Sequence, residues 1–303
     1  MTSSFSQKLG QLTPILFVFL WSTGFIGARM GAPYSEPMTF LTIRFVIVLV
    51  LLIPLALLLK AKWPSAKEAF HAFIAGLLLH GAYLGAVFWA IDDGMPAGLA
   101  ALVMGLQPVL TAFFAAMVLK EAINRNHVMG FILGMIGISL VLYPRLQGGD
   151  FSVTPAQITA SLIAVLSISV GTIYQKRFAS NLDMRTSTVW QYIAAALLVG
   201  IVAYMTETQT LDWTPDFIFA LGWLVLVLSI GAIFLLLFLI EQGAVSNIAG
   251  LFYLIPAVTA IFSWILFDEP ITLIQIVGII ITGAGVFLAS HAKLANMRNK
   301  TSH

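Results

Sequence analysis

A few polar side chains interrupt long apolar runs in this sequence, and they are the groups that could take part in chemistry. His80 lies in the apolar run Leu77–Ala82, with Tyr83 about one helical turn further on. An imidazole facing lipid would lack hydrogen-bond partners, so His80 is expected to face a polar cavity. Three roles stay open for it: a contact with a bound solute, a structural hydrogen bond, or a titrating proton carrier.

Arg44 is a second polar residue inside an apolar run, about two helical turns from the start of that run. A cation in hydrocarbon is costly and needs an explanation. Arg44 is interpreted either as a contact for an anionic solute or a gate, or as a structural residue. In the structural interpretation, which the sequence favours, it snorkels outward or binds carbonyl groups of a neighbouring helix.

Two prolines lie in apolar runs beside residues that can form hydrogen bonds. Gln107 precedes Pro108, and Tyr253 lies close to Pro256. Proline removes a helical hydrogen bond and frees a carbonyl about one turn earlier, so each place combines a kink with polar groups. We predict that Gln107 and Tyr253 line a cavity. The two prolines are predicted either to act as gating hinges or to shape packing alone.

Three further side chains could line the same cavity. Trp190 and Gln191 lie about two turns into their run, and Trp21 lies in the first run. A wall of a cavity is one interpretation of these residues. Tryptophan anchors at the membrane interface are the alternative.

Composition and motifs exclude whole classes of chemistry. The sequence contains no cysteine, which excludes disulfides, thiolate nucleophiles and cysteine metal sites. It has no HExxH, GxSxG or GxxxxGK[ST] motif and no pair of carboxylates inside an apolar run. An enzyme, a metal site, a cofactor and the direct use of ATP are therefore not expected. The net charge of +2 is too small to indicate a nucleic-acid partner.

The composition also identifies the elements that must position these groups. The chain has 303 residues, of which 60% are hydrophobic and 9% charged, whereas soluble domains carry about 25% charged residues. The bilayer is the solvent that suits such a chain, and each spanning helix needs roughly 20 apolar residues. We predict an all-α integral membrane protein whose ten transmembrane helices cover residues 13–31, 37–59, 68–91, 96–119, 126–144, 155–176, 185–205, 215–240, 245–267 and 271–291.

The placement of lysine and arginine predicts how these helices are oriented. Cytoplasmic loops carry an excess of both residues. With the N-terminus in the cytoplasm and ten spans, most of the basic residues fall on the cytoplasmic side, Arg29 and Arg145 fall outside, and the acidic residues fall mostly outside. We therefore expect a bacterial inner membrane protein with both termini in the cytoplasm.

The second half of the chain repeats the first. Residues 94–137 align with residues 243–285 with one single-residue gap. The aligned pairs are Pro108 with Pro256, Thr111 with Thr259, Glu121 with Glu269, Gly130 with Gly278, and Gly137 with Gly285. A proline, a glutamate and a glycine at matched spacings are hard to obtain by chance. We predict an internal duplication, with one five-helix repeat in residues 1–148 and the other in residues 149–303.

The two repeats are predicted to have opposite orientations in the membrane. Each half contains five spans, an odd number, so the basic loop at Lys120 lies inside and its counterpart at Asp268 lies outside. Inverted repeats around a central cavity are the plan of many secondary transporters. Two similar halves packed upside down can exchange conformations, which would open a central site first to one side of the membrane and then to the other.

The sequence resembles the drug/metabolite transporter superfamily and, within it, the EamA-type ten-helix family. The resemblance covers nearly the whole chain, and it is carried by residues 19–25 (FLWSTGF), 41–45 (LTIRF), 106–110 (LQPVL), 120–121 (KE), 254–258 (LIPAV) and 268–270 (DEP). It implies an inner-membrane carrier in which ten helices surround a central cavity. Members of the family export amino acids and related metabolites, and some carry a cavity-lining histidine on the third helix, the helix of His80.

From these observations we predict a secondary transporter that exports a small polar or amphipathic metabolite, such as an amino acid. Few charges lie inside the spans, which suits a neutral or zwitterionic solute. No buried aspartate or glutamate is expected as an obvious proton carrier, which favours facilitated diffusion or exchange over tight proton coupling. A channel-like facilitator and a membrane-embedded enzyme are the alternatives. The expected partners are the solute and the lipid bilayer, and the protein is expected to be a monomer or weak dimer.

Overall fold

The computed structural model describes residues 2–120, 125–146, 153–231, 255–269 and 271–300, and in these residues the chain is helical. A single antiparallel bridge, between Ser35 and Leu211, is the only strand-like pairing among them. The helices that they form are α1 (Thr2–Gly31), α2 (Pro37–Leu58), α3 (Ala66–Asp92), α4 (Ala97–Leu119), α5 (Arg125–Leu146), α6 (Pro155–Phe178), α7 (Met184–Thr206), α8 (Pro215–Gly231), α9 (Ile255–Phe267) and α10 (Leu273–Lys300).

These helices confirm the predicted helical membrane protein. Within the described residues, α2, α3, α4, α6 and α7 are each long and apolar enough to cross a membrane. Shorter apolar segments lie in α5, α8, α9 and α10, and α1 covers the first predicted span. The predicted end of the eighth span and the start of the ninth lie in residues 232–254, outside the described residues.

Side chains at the helix starts supply hydrogen bonds that the first turns lack. At α3, Ser65 and Glu68 form a reciprocal capping box, in which each side chain accepts from the backbone of the other. At α8, the Thr214 hydroxyl accepts from Phe217 N. Ser65 and Thr214 are 149 positions apart, the spacing that aligns Gly94 with Gly243. The two repeats therefore begin their third helices in the same way.

Helices α3 and α8 are also interrupted in the same place. Residues Leu77–Ala82 of α3 form wide π-helical turns, and so do residues Trp223–Gly231 of α8. Such turns shift the hydrogen-bond register, and they occur frequently at functional sites. His80 lies in the first segment and Ser229 in the second, again 149 positions apart.

The chain forms two compact units, and each unit takes helices from both repeats. Unit 1 comprises Met1–Ile26, Pro96–Val153 and Gly231–His303, and unit 2 comprises Gly27–Met95 and Thr154–Ile230. Unit 2 therefore contains α2, α3, α6, α7 and α8. The predicted division into residues 1–148 and 149–303 separates the two copies of the internal repeat. It is a different division of the chain from the two compact units.

In unit 2, α2 and its counterpart α7 pack in opposite directions. Glu36, the residue before α2, accepts hydrogen bonds from Thr208, which follows α7. Asp183, the residue before α7, accepts one from the backbone of Lys62, which follows α2. The start of each helix thus lies beside the end of the other. Because α2 and α7 occupy equivalent places in the two repeats, this arrangement is an inverted repeat.

In unit 1, glycines bring α5 and α10 into close contact. A Cβ atom added at Gly137 would lie 2.6 Å from the carbonyl oxygen of Gly278, and one added at Gly285 would lie 2.7 Å from that of Gly130. Gly137 aligns with Gly285, and Gly130 aligns with Gly278. The two contacts are therefore the same contact with the roles of the repeats exchanged, which again requires antiparallel helices.

The pair α4 and α9 completes this pattern in unit 1. Gly98 packs on Ala260, and Gly105 packs on Pro256, so the two helices run antiparallel. Glu269 accepts a hydrogen bond of 3.2 Å from the backbone N–H of Ala97 at the start of α4. Glu269 was expected among the acidic residues of an outer loop, but its side chain is buried. A carboxylate at a helix N-terminus is stabilised there by the exposed N–H groups.

Large apolar side chains on several helices remain exposed, which suits a surface that faces lipid rather than water. They lie on helices of both units and include Val50, Leu58, Met117, Ile132, Ile163, Ile201, Leu226, Trp264 and Ile280.

Candidate functional site

Arg44 is a buried cation in unit 2. Its side chain is 6% exposed, and its Nη2 atom donates a hydrogen bond of 3.1 Å to the hydroxyl of Ser229 on α8. Its Nε atom is shielded from solvent and has no hydrogen-bond partner among the described residues. This arrangement does not match the predicted snorkelling residue, because the guanidinium stays inside the helix bundle.

His80 makes its contacts with α7. Its Nε2 atom lies 3.2 Å from the side-chain oxygen of Gln191, so Nε2 carries the proton and donates with this orientation of the amide. The imidazole also stacks on Tyr192, with the ring centres 4.7 Å apart and the ring planes 21° apart. Gln191 donates in turn to the hydroxyl of Ser187. His80 is thus partly buried in a hydrogen-bonded and aromatic environment.

The two helices approach closely at this point because α3 carries glycine there. Gly76 lies one turn before His80, and a Cβ atom added to it would overlap the backbone of Gln191. Gly81 faces α7 as well, since an added Cβ atom would lie 2.8 Å from a methyl group of Leu198. Small residues let helices in membranes pack backbone against backbone. This packing places the imidazole within reach of Gln191.

Tyr83 and Tyr192 lie in the neighbourhood of Arg44, and both are buried. Arg44 and His80 are also close enough to influence each other, and Tyr192 interacts with Ser229. Arg44, His80, Tyr83, Gln191, Tyr192 and Ser229 thus form one polar cluster, which we call the Arg44 cluster.

Contacts in the Arg44 cluster follow the inverted repeat. Arg44 on α2 reaches Ser229 in the π-helical segment of α8, while Gln191 on α7 reaches His80 in the π-helical segment of α3. His80 and Ser229 occupy equivalent positions, and α2 is equivalent to α7. Each repeat therefore contributes one π-helical segment and one side chain that contacts the segment of the other repeat.

At both ends of the α2–α7 pair, backbone N–H groups beside one helix donate hydrogen bonds to a carboxylate beside the other helix. At one end, Glu207 accepts from Met38 N, Thr39 N and the Thr39 hydroxyl, each at 2.7 Å. Glu36 accepts there from the backbone and hydroxyl of Thr208. Burial raises the pKa of Glu36, but the hydrogen bonds from Thr208 and its neighbours have the larger combined effect, so its pKa lies below the ordinary value.

At the other end, Asp183 has the equivalent position. It accepts from Lys62 N at 3.3 Å and pairs with the guanidinium of Arg185 at 2.6 Å. The Arg185 hydrogen bond lowers the pKa of Asp183 more than burial raises it. Thr186 donates to the carbonyl of Lys62. These contacts fix the ends of the bundle that contains the Arg44 cluster.

The other predicted site residues lie in unit 1 or outside the described residues. Helix α4 is broken at Gly105 and Leu106 and resumes at Gln107, with Pro108 in the first turn. Pro256 is buried and packs on Gly105. Trp21 lies on α1, half-buried. Tyr253 falls outside the described residues.

Trp190 is the remaining predicted residue, and it belongs to unit 2. Its side chain is half-buried, and its indole Nε1 is buried without a partner among the described residues. The structure therefore brings Arg44, His80, Tyr83 and Gln191 together. It places Trp190 next to Gln191 on α7, outside the contacts that define the Arg44 cluster.

Sequence reasoning missed Ser229 as a member of the cluster. Ser229 is a small hydroxyl residue in an apolar run, and such residues commonly bond to their own helix. The repeat spacing, which matches Ser229 with His80, is the signal that would have identified it. Among the described residues, no group of His, Asp and Glu side chains is placed to hold a metal ion.

Comparison with a solved structure supports the fold. A structure described as "Crystal structure of protein" superposes with a TM-score of 0.64 at 20% sequence identity, over 94% of this chain and 97% of that one. At this identity the likeness concerns the fold alone.

Curated relatives match over almost their full length. The chain is 28% identical to "Uncharacterized transporter YvbV" of Bacillus subtilis (strain 168), over 92% of this chain and 91% of that protein. It is 25% identical to "Probable amino-acid metabolite efflux pump" of Escherichia coli (strain K12), over 93% and 95% respectively. The protein of that name in Salmonella typhimurium is 26% identical, with the same coverage.

The model of the EamA-like transporter family matches the chain twice, at residues 8–143 and 156–291. The two matches correspond to the two halves related by the internal repeat, and together they take in most of the sequence. This multi-pass membrane transporter belongs to the EamA-like transporter family.

Proposed function

We propose that this transporter is a secondary carrier that exports a small polar or amphipathic metabolite, of the amino acid class, by alternating access. It would act in the bacterial inner membrane, with both termini in the cytoplasm. The relatives named as amino-acid metabolite efflux pumps support the substrate class and the direction. The sequence contains no nucleotide-binding loop of the GxxxxGK[ST] type, in keeping with a carrier that does not hydrolyse ATP.

The observation that carries the proposal is the exchange of equivalent contacts between the repeats. Arg44 contacts Ser229, and Gln191 contacts His80, through helices that run antiparallel. Two halves with nearly the same structure and opposite orientation can each adopt the conformation of the other. That exchange moves a site between the two sides of the membrane without a large reorganisation of either half.

The Arg44 cluster supplies the chemistry that a small polar solute needs. Gln191 and the tyrosines offer hydrogen-bond donors and acceptors, and the stacked rings of His80 and Tyr192 offer an aromatic surface. In this proposal, His80, Tyr83 and Gln191 contact the solute directly, while Gln107, Trp21 and Trp190 line the path. Pro108 and Pro256 provide the hinges.

A two-stage experiment tests the proposal. Cells that produce the protein are first screened for resistance to toxic amino acid analogues, and the purified protein is then reconstituted in liposomes with the solutes that score. We expect saturable flux and counterflow, because a carrier exchanges solute on both sides. His80→Ala should reduce the flux strongly, and Arg177→Ala, at an exposed position on α6, should leave it unchanged. Flux that does not saturate and shows no counterflow would indicate a channel-like facilitator instead.

A further inference from the structure

We propose that Arg44 binds a carboxylate of the transported solute, so that the substrate class is a small molecule with a single carboxylate group. This inference rests on the proposed transport function, which it refines by naming the group that is recognised and the residue that recognises it. The evidence is the charge balance around Arg44, the geometry of its free donor, and the chemistry of its neighbours.

Within the part of the chain that the structure describes, the charge of Arg44 has no counter-charge. The guanidinium is 6% exposed, and among the described residues no acidic side chain forms an ion pair with it. The contrast with Arg185 is direct, because that residue pairs with Asp183 at 2.6 Å at the end of α7. Burying an ion costs several kcal/mol, which a well-placed counter-charge offsets. An anion supplied by the solute would provide that counter-charge.

The open donor of Arg44 lies on the edge that suits a carboxylate. Atoms Nε and Nη2 point the same way, and two parallel hydrogen bonds from such an edge fit the two oxygens of a carboxylate. Nη2 donates to Ser229 at 3.1 Å, and Nε has no partner among the described residues. One donor of the edge is thus unpaired among the described residues, and the other donates to a neutral hydroxyl that a carboxylate can replace.

The neighbours of Arg44 suit the rest of such a solute. Tyr83 and Ser229 carry hydroxyl groups that can donate to the outer lone pairs of a bound carboxylate. Tyr192 and His80 present stacked rings to an apolar or weakly polar remainder. Arg44 is the one permanent cation in the cluster, so it can neutralise one carboxylate. A dicarboxylate would bring a second charge that nothing in the cluster neutralises.

A purely structural role explains the same residue less well. A structural arginine in a membrane bundle uses its donors on carbonyl groups or carboxylates, whereas the described hydrogen bond of Arg44 goes to one hydroxyl and its guanidinium lies 5.9 Å from the ring centre of Phe45. An apolar side chain would fill the same volume without the cost of a buried charge. Because Nε is shielded in this structure, the solute reaches it only when neighbouring side chains move, which fits an occluded step of a carrier.

Binding of matched probes tests the inference. The probes are three pairs in which the carboxylate is replaced by its amide: 4-methylpentanoate, phenylacetate and leucine. Purified protein in detergent is titrated with each probe while its thermal unfolding midpoint is followed. We expect saturable stabilisation by at least one carboxylate and an affinity at least tenfold weaker for its amide. Arg44→Gln should weaken the preferred carboxylate at least tenfold, as expected for the loss of charge-assisted hydrogen bonds.

Two variants separate a binding role from a structural one. Arg44→Lys should restore part of the affinity, because it keeps the charge but cannot form the paired bonds. Arg177→Gln, on an exposed part of α6, serves as the matched control and should bind like the wild type. Without any solute, Arg44→Gln should unfold at the same temperature as the wild type or higher, since it removes an unpaired buried charge. A clearly lower midpoint would assign Arg44 a structural role and overturn the inference.

The outcomes also distinguish this inference from the proposed function. If carboxylates and amides bind equally well, or if no carboxylate binds, the role of Arg44 is refuted, even when liposomes show amino acid flux. If carboxylates bind through Arg44 but reconstituted protein moves no solute, the inference stands and the transport proposal fails.

Discussion

In the Arg44 cluster, His80 and Arg44 each reach a hydrogen-bond partner on another helix. His80 depends on Gln191 for an acceptor and on Tyr192 for a stacking surface. Gln191 is itself buried and connected to Ser187. A buried donor that loses its acceptor is destabilising by about 1–3 kcal/mol. The pair of His80 and Gln191 should therefore contribute to stability as well as to solute contact.

A double-mutant cycle measures this contribution. We expect Gln191→Leu to lower the free energy of unfolding by about 1–3 kcal/mol, because it leaves the imidazole N–H without an acceptor. In His80→Phe, which keeps the stacking surface, the same Gln191→Leu change should cost clearly less, with a coupling of about 1 kcal/mol. Unfolding by SDS in mixed micelles provides the measurement. Effects that add to within about 0.3 kcal/mol would show that the hydrogen bond contributes nothing.

The carboxylate of Glu36 predicts how stability depends on pH. Hydrogen bonds from Thr208 and Thr210 hold its pKa below the ordinary value, although burial raises it. The unfolded chain binds this proton first as pH falls, so the stabilisation by Glu36 is complete above the unfolded pKa of about 4.3 and disappears below the folded pKa.

We therefore expect Glu36→Gln to be less stable than the wild type near neutral pH and to approach it as the pH falls through that window. Thermal unfolding of both proteins across a pH series provides the comparison. A gap between them that grows toward acid would contradict the sign of the pKa shift.

At the scale of single residues, the sequence indicated which polar side chains lie inside the helix bundle, but it did not indicate which residues they contact. His80, Arg44 and Gln191 were identified because polar groups are costly in an apolar run. Ser229 could not be paired with Arg44, because the two are 185 positions apart and their contact depends on how α2 packs against α8. The structural role that the sequence favoured for Arg44 stays a prediction, and the fold adds that no carboxylate among the described residues accepts a hydrogen bond from its guanidinium.

Helices pack through glycines in both units, and in unit 1 the glycines of α5 and α10 follow the repeat. In unit 1 the contacts of Gly137 and Gly285 leave no room for a side chain, since an added Cβ atom would meet backbone atoms of the facing helix. Gly283 lies on the same helix as Gly285, and an added Cβ atom would meet nothing within 4 Å. The two positions of α10 therefore offer a matched comparison.

We expect Gly285→Ala to lower the free energy of unfolding by about 1–3 kcal/mol, because the helices must move apart to admit the methyl group. Gly283→Ala should be neutral or stabilising by up to about 1 kcal/mol, because alanine has the higher helix propensity. SDS unfolding of the two single variants makes the comparison. Equal effects would show that the close contact between α5 and α10 contributes no stability.

Helix positions were predictable because a span of apolar residues has a length that the bilayer sets. Six predicted spans, the second to the seventh, agree with a described helix to within two residues at both ends, whereas α1 begins eleven residues before the first span and α10 ends nine residues after the tenth. The sequence predicted a helix kink beside Pro108, and the structure breaks α4 a few residues earlier, at Gly105. The sequence did not predict the π-helical segments. The residues Leu77–Ala82 and Trp223–Gly231 are mostly apolar, like those of an ordinary transmembrane helix, and hydropathy does not indicate the register of the backbone hydrogen bonds.

At the scale of the whole molecule, the sequence predicted that the two repeats have opposite orientations, and only a few charged and aligned residues were needed for that prediction. The charge map indicated opposite orientations for the two repeats. The antiparallel pairs α2 with α7, α4 with α9 and α5 with α10 have the geometry that such repeats require. The interleaving of the repeats into two compact units was not predictable, since nothing in the alignment of Pro108 with Pro256 says which helices meet.

Cysteine labelling in cells tests the orientation directly. The chain has no cysteine, so a single introduced thiol reports without background. Lys67 near the start of α3 and Asp216 near the start of α8 are both exposed and occupy equivalent positions. We expect Lys67→Cys to resist a membrane-impermeant maleimide in intact cells and Asp216→Cys to react. Labelling of both from the same side would rule out the inverted arrangement.

The reciprocal glycine contacts have a consequence for how such a protein can arise. Gly137 meets Gly278 just as Gly285 meets Gly130, so both halves of this glycine contact are present in each repeat. A single five-helix chain that inserted in both orientations could make the same contacts with a second copy of itself. Gene fusion would then fix one copy in each orientation, after which the copies were free to diverge.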